Sequence, residues 1–262
     1  MPTKTINNLE MHYLEAGRGT PLVLIHGFPL DARMWEAQLS GLDGRFRVIA
    51  PDLRGFGRSA QAGPFTMRSL AGDVHDLLAG IGALPCVLGG LSMGGYVAMA
   101  YATRFPRDLR GLMLIDTKHE ADTAEGKENR RKMVELARTG GAQAVAEQMM
   151  PRMVAAATRQ NNPACVSRLR QIMESCPIST IEHAQLAMCD RDDYRGRLAS
   201  IAVPTLIVVG DQDAFSPPAV ARAMHAEMPG STLRIIADAG HMAPMEQPGS
   251  VNDAIGEFAA GC

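Results

Sequence analysis

Ser92 stands within Gly90-Leu91-Ser92-Met93-Gly94-Gly95, between the apolar run Cys86-Val87-Leu88 and the helix-forming stretch Tyr96-Val97-Ala98-Met99-Ala100. A serine flanked by glycines at the junction of a strand and a helix fits a turn too tight for ordinary backbone, because glycine supplies conformations and close approaches that a Cβ forbids. Such a turn lifts the hydroxyl above the strand end, with the positive end of the next helix beneath it. That is the placement of a nucleophile.

A serine hydroxyl attacks poorly unless a neighbouring base takes its proton. Histidine titrates near neutrality and can both accept that proton and return it to a leaving group. Gly240-His241 follows the strand-like run Leu233-Arg234-Ile235-Ile236. A carboxylate on the other ring nitrogen would fix the tautomer and stabilise the imidazolium. Asp211 and Asp213 both follow Thr205-Leu206-Ile207-Val208-Val209, and Asp116 ends Leu112-Met113-Leu114-Ile115, so three carboxylates are candidates. Another apolar run, Leu22-Val23-Leu24-Ile25, leads into His26-Gly27-Phe28-Pro29. No two of the seven histidines have metal-ligand spacing on one helical face, and no Cys-x-x-Cys occurs, so neither a metal nor another cofactor is expected.

Taken with Asp52-Leu53-Arg54-Gly55-Phe56-Gly57-Arg58-Ser59 and with Glu246 and Pro248, these segments resemble the α/β-hydrolase superfamily. The likeness is to its branch of small serine esterases and lactonases, which includes 3-oxoadipate enol-lactonases. It covers nearly the whole chain apart from about residues 118–197. The resemblance implies Ser92 as nucleophile, His241 as base and Asp213, ahead of Asp211 and Asp116, as the acid. It implies an oxyanion hole formed by the backbone N–H groups of Phe28 and Met93. His26 would be a structural member of the loop after the first run, Arg54–Ser59 would shape the rim, and Glu246 and Pro248 would anchor the His241 loop. The implied reaction is hydrolysis of a carboxylic ester or lactone through an acyl-enzyme. Carbon–carbon bond hydrolysis, acyl transfer and perhydrolysis (relatives with the last activity carry a proline like Pro29) use the same triad, and a ligand receptor could be built on the same fold. Epoxide hydrolase and dehalogenase relatives carry aspartate at the Ser92 position.

The elements that must hold these residues are short, continuous apolar runs at Leu22–Ile25, Val48–Ala50, Cys86–Leu88, Leu112–Ile115, Leu206–Val209 and Leu233–Ile236. Continuous rather than alternating hydrophobicity predicts strands covered on both faces. Helix-length segments at Met67–Ile81, Tyr96–Phe105 and Pro218–Glu227 alternate with them, which predicts a mostly parallel, doubly wound α/β sheet. Sites in such sheets gather at the carboxyl ends of strands, where every candidate lies. Residues 118–197 contain no strand-like run. Helices are expected at Asn129–Arg138, Ala142–Met150, Cys165–Glu174 and Ile178–Cys189, with breaks at Pro151, Pro163 and Pro177. The expected organisation is a hydrolase core of residues 1–117 and 198–262 with a helical cap of 118–197.

Composition narrows the partners. The net charge of −2 gives no basis for binding nucleic acid or an anionic membrane, leaving a small-molecule ester or lactone as the expected partner. Within 118–197, 13 Lys and Arg balance 11 Asp and Glu, so that segment is not expected to attract anions. Five scattered cysteines, polar residues throughout Met1–Tyr13 and the lack of a run of ~20 apolar residues lead to the expectation of a reduced, cytoplasmic protein. Of the 17 methionines, Met133, Met149, Met150, Met153, Met173 and Met188 are expected to fill gaps between cap helices, whereas the Met93 side chain should border the pocket. His12, His75, His119, His183 and His225 are expected at the surface.

Overall fold

The computed structural model describes residues 2–60 and 63–262. Its strands are β1 (Thr3–Ile6), β2 (Leu9–Ala16), β3 (Pro21–Ile25), β4 (Arg47–Pro51), β5 (Cys86–Leu91), β6 (Leu109–Ile115), β7 (Thr205–Gly210) and β8 (Thr232–Ile236). They form one sheet in the order β1-β2-β4-β3-β5-β6-β7-β8. β2 runs antiparallel to both β1 and β4, and the pairs from β4 through β8 are parallel.

The helices flanking the sheet are α1 (Glu36–Leu42), α2 (Met67–Gly80), α3 (Met93–Arg104), α8 (Pro218–Glu227), α9 (Ala243–Glu246) and α10 (Pro248–Ala260). Between β6 and β7 the chain is helical, with α4 (Ala124–Met153), α5 (Ala156–Asn161), α6 (Pro163–Glu174) and α7 (Ile178–Cys189). Two apolar cores lie on opposite faces of the sheet. Val23 and Ile25 pack with residues of α2, α3 and α8, while their neighbours Leu22 and Leu24 pack with residues of α1 and α10. This alternation explains the continuous apolar runs, since successive side chains enter different cores. Burying each such side chain contributes roughly 1.5–3 kcal/mol.

The six sequence-predicted strands are present, but β8 departs from the expected burial. It is the sheet edge, and Ile235 is exposed. β1 and β2 lie in the segment read as polar. Their signal was a two-residue turn: Asn7 and Asn8 take φ of 45° and 64°, the left-handed values that asparagine tolerates in tight hairpins. His12 on β2 is also buried rather than at the surface, with Nδ1 2.8 Å from Asp52 Oδ2.

Pro151 does not break its helix where it stands: it lies inside α4, which ends two residues later at Met153. The break falls at Gly141, where φ 71° and ψ −175° bend the helix between the two predicted segments. Pro163 opens α6, with the Asn162 side chain accepting from the Cys165 amide at 3.1 Å. Met150, Met153 and Met173 fill the core as expected. No helix of the described residues is long and apolar enough to cross a membrane.

The Gly141 conformation belongs almost only to glycine. Gly141→Ala should therefore destabilise the protein by about 1–3 kcal/mol, read as a lower urea midpoint. An unchanged midpoint would mean that the bend does not depend on this residue's dihedral freedom.

Candidate active site

Ser92 lies between β5 and α3 with φ 53° and ψ −112°, a backbone conformation that a non-glycine residue adopts only under constraint. The constraint is steric. A Cβ at Gly90 would lie 2.1 Å from the Gly94 carbonyl oxygen, and one at Gly94 would lie 2.4 Å from the Ile25 carbonyl oxygen. The turn is pinned from the end of β6: the Ser92 amide donates to the Ile115 carbonyl at 3.0 Å, and Thr117 Oγ1 donates to the Ser92 carbonyl at 2.7 Å.

His241 is buried on the loop between β8 and α9, with Nδ1 3.0 and 2.9 Å from the two Asp213 carboxylate oxygens. Asp213 also accepts from the Phe215 amide (2.7 Å), the Ser216 amide (3.0 Å) and Ser216 Oγ (2.6 Å). Burial pushes the Asp213 carboxyl up. The His241 charge and hydrogen bond and the Ser216 donors outweigh burial and hold it below the ordinary carboxylate range. An ionised Asp213 calls for a proton on Nδ1, which leaves Nε2 of neutral His241 as an acceptor. Sequence reasoning missed Ser216; the signal was a serine three residues after the aspartate, ahead of the Pro217-Pro218 helix start.

The other two carboxylates do different work. Asp211 is exposed and accepts from the Ala239 amide at 3.2 Å. Asp116 is fully buried, takes φ 44° and accepts from the Gly210 amide at 2.8 Å. Burial and then the neighbouring Asp213 charge push the Asp116 carboxyl well above its ordinary value, so it favours the neutral form.

Glu246 holds the histidine loop on both sides. Its Oε1 accepts from the Gly240 amide (2.8 Å) and the Met242 amide (3.3 Å). Its Oε2 accepts from the Ala155 amide (2.8 Å) and Thr158 Oγ1 (2.6 Å), tying the loop to the start of α5. His26 is enclosed and accepts from the Leu53 amide at Nε2 (3.1 Å), so Nδ1 carries the proton donated to the Gly27 carbonyl (2.9 Å). Burial depresses its basicity, which keeps the ring neutral.

Ser92, His241 and Phe28 line one cavity of about 480 Å³, together with Tyr96, Phe215 and Ser216. Asp213 lies behind the imidazole. The Met93 side chain does not border this cavity as expected: it is fully buried in the α2–α3 core, because α3 starts at this residue and directs it inward. Met133, Met149 and Met188, expected as gap fillers, do line the cavity. His119 is buried rather than at the surface, with Nδ1 and Nε2 each 3.3 Å from a glutamate oxygen, of Glu120 and Glu227 respectively.

The sequence model of the family described as "alpha/beta hydrolase fold" matches residues 20–248. The chain is 30% identical over 268 residues to the AB hydrolase superfamily protein YisY of Bacillus subtilis (strain 168), covering 97% of each chain. Among solved structures it resembles a malate-bound thermophilic esterase from Thermogutta terrifontis, with a TM-score of 0.94, 43% identity and coverage of 99% and 96% of the two chains. It also resembles the enol-lactonase from Burkholderia xenovorans LB400, with a TM-score of 0.91, 27% identity and coverage of 99% and 100%.

Asp116 provides a pH test of the site's electrostatics. An acid whose folded pKa is raised loses its proton first in the unfolded chain, so its contribution to stability declines as pH rises above about 4. Asp116→Asn lacks that decline. Relative to wild type, the variant should gain stability between pH 4.5 and 7, by up to about 1.4 kcal/mol per pH unit. Urea denaturation across that range measures the gap; a gap independent of pH would mean that Asp116 is ionised in the folded protein.

Proposed function

We propose that this chain, which belongs to the α/β-hydrolase family, cleaves a carboxylic ester or lactone through an acyl-enzyme formed on Ser92. The observation that carries the proposal is a strained serine, at a turn closed to larger residues, sharing one cavity with a histidine whose far nitrogen is held by a carboxylate. The likeness to an esterase and an enol-lactonase supports an ester bond as the one cut.

In the proposed reaction, Ser92 Oγ attacks the acyl carbon while its proton passes to His241 Nε2. Asp213 stabilises the imidazolium without taking the proton. The Phe28 and Met93 amides, which among the described residues donate to no acceptor within the chain, point to a pair of donors for the oxyanion. Such a donor is worth about 2.7–4 kcal/mol in the transition state. As the tetrahedral intermediate collapses, the acyl C–O bond breaks and the leaving alkoxide takes the proton from His241. Water then gives a proton to His241, attacks the acyl carbon and releases the acid as Ser92 recovers its hydroxyl. Residues 118–197 act as a cap over this cavity, joined to the histidine loop through Glu246.

Ser92→Ala should lower turnover of a 4-nitrophenyl ester by about 10⁴–10⁶-fold, since the triad acts as a unit. A fluorophosphonate should label wild type at Ser92 and leave the variant unlabelled. Retained turnover in Ser92→Ala would remove this residue from the mechanism.

A further inference from the structure

The charges of residues 118–197 nearly balance in the sequence, but the fold sorts them. Glu182, Glu174 and Asp192 pair with Arg138, Arg170 and Arg68 outside the cavity wall. Lys118, Arg130, Lys132 and Arg152 line the cavity, and among the described residues two carboxylates, Asp116 and Asp122, line it with them. Asp122 is engaged by Arg130 and by Arg191, the latter at 2.8 Å. Asp116 is fully buried and accepts from the Gly210 amide. Among the described residues, Lys118, Lys132 and Arg152 therefore line the cavity with no carboxylate paired to any of them.

Two of these cations bracket the candidate triad. Lys118 is half-buried and directly follows Thr117, whose hydroxyl holds the Ser92 carbonyl. Arg152 lies 4.2 Å above the Phe215 ring, and that ring lies 4.9 Å from the His241 ring. One Arg152 donor is committed to the Ala214 carbonyl at 2.7 Å, which fixes the guanidinium while leaving its other N–H groups available. The same cavity carries apolar lining from Phe28, Tyr96, Met133, Met149 and Met188 beside the polar Asn129, Gln148 and Gln185. A ligand complementary to this surface has an apolar middle and an anionic end.

We infer that the substrate is an anionic ester or lactone, carrying a carboxylate besides the bond that is cut, and that Lys118 and Arg152 select it. The inference rests on the hydrolase reading above. It reverses the expectation from segment composition that this part of the chain would not attract anions.

The test compares two aryl esters of equal length, 4-nitrophenyl hydrogen pimelate and neutral 4-nitrophenyl heptanoate, at 20 and 500 mM NaCl. Wild type should prefer the charged ester by about tenfold in kcat/KM at low salt, and the preference should shrink at high salt as the cations are screened. Lys118→Met and Arg152→Met should each lower the charged-to-neutral ratio by about fivefold, mainly through KM for the charged ester. Arg170→Met, whose side chain pairs with Glu174 outside the cavity, should leave the ratio unchanged, and thermal melting identifies any variant that fails to fold. A wild-type ratio of one or below, or a ratio unchanged in the folded Lys118→Met/Arg152→Met double variant, would overturn the inference. Fluorophosphonate labelling separates the two claims. Labelling at Ser92 with no charge preference sinks the anionic substrate alone, whereas no labelling and no turnover of either ester sinks the hydrolase reading beneath it.

Discussion

Between the end of β5 and the first turn of α3 there is room for the side chain of residue 92 and for none at residues 90 or 94, where backbone meets backbone. A left-handed serine costs about 1–3 kcal/mol and persists only where its surroundings over-determine it. Here the surroundings are three adjacent parallel strands. β3 and the residue after it supply the Ile25 and His26 carbonyls that exclude a side chain at Gly94, and β5 leads into the turn. β6 and the residues after it supply the Ile115 and Thr117 contacts. All three strands are buried almost throughout, so burial of their apolar residues offsets the strain. The doubly covered sheet and the placement of Ser92 on the cavity wall thus have a common cause.

The same crowding brings acids together. Asp213 and Asp116 are both buried, and like charges in one low-dielectric region disfavour double ionisation. Hydrogen-bond supply separates them: Asp213 receives the His241 ring and three further donors, whereas Asp116 takes the Gly210 amide. The charge therefore settles on the carboxylate that faces the imidazole. Asp116 adds polarity under the site without competing for the histidine, and its burial, reinforced by the Asp213 charge, favours its neutral form.

The parts of the site that lie in short contiguous motifs were legible in the sequence. The serine turn announces itself through glycine spacing, and the strands through unbroken apolar runs, because both signals are local. Choosing Asp213 over Asp211 required the family pattern, since both follow the same strand and only packing turns one toward His241. Glu246 was readable as a loop anchor, but its hold on α5 spans 91 positions between Ala155 and Glu246 and leaves no local trace. Burial of His12 and His119 was likewise invisible, because a partnered polar residue inside looks in sequence like one outside. The β1–β2 hairpin was missed for the opposite reason. Its Asn7-Asn8 turn was a local signal, masked by the polar residues that an edge hairpin can expose to water.

The charge sum of residues 118–197 does not report where those charges lie, and the geometric reason also explains α4. As a straight helix, Asn129 and Arg152 would stand about 35 Å apart along the axis, too far to line one small cavity. The bend at Gly141 folds the second half back, so that Gly126, Asn129, Arg130 and Met133 from one half face the same space as Gln148, Met149 and Arg152 from the other. Each group follows the three-and-four spacing of a single helical face. Some acids of the segment pair with arginines outside the cavity wall, as Glu182 does with Arg138 and Glu174 with Arg170. A sum over residues 118–197 averages these faces together; the bend separates them. One glycine dihedral therefore links the backbone of this segment to the set of side chains that line the cavity.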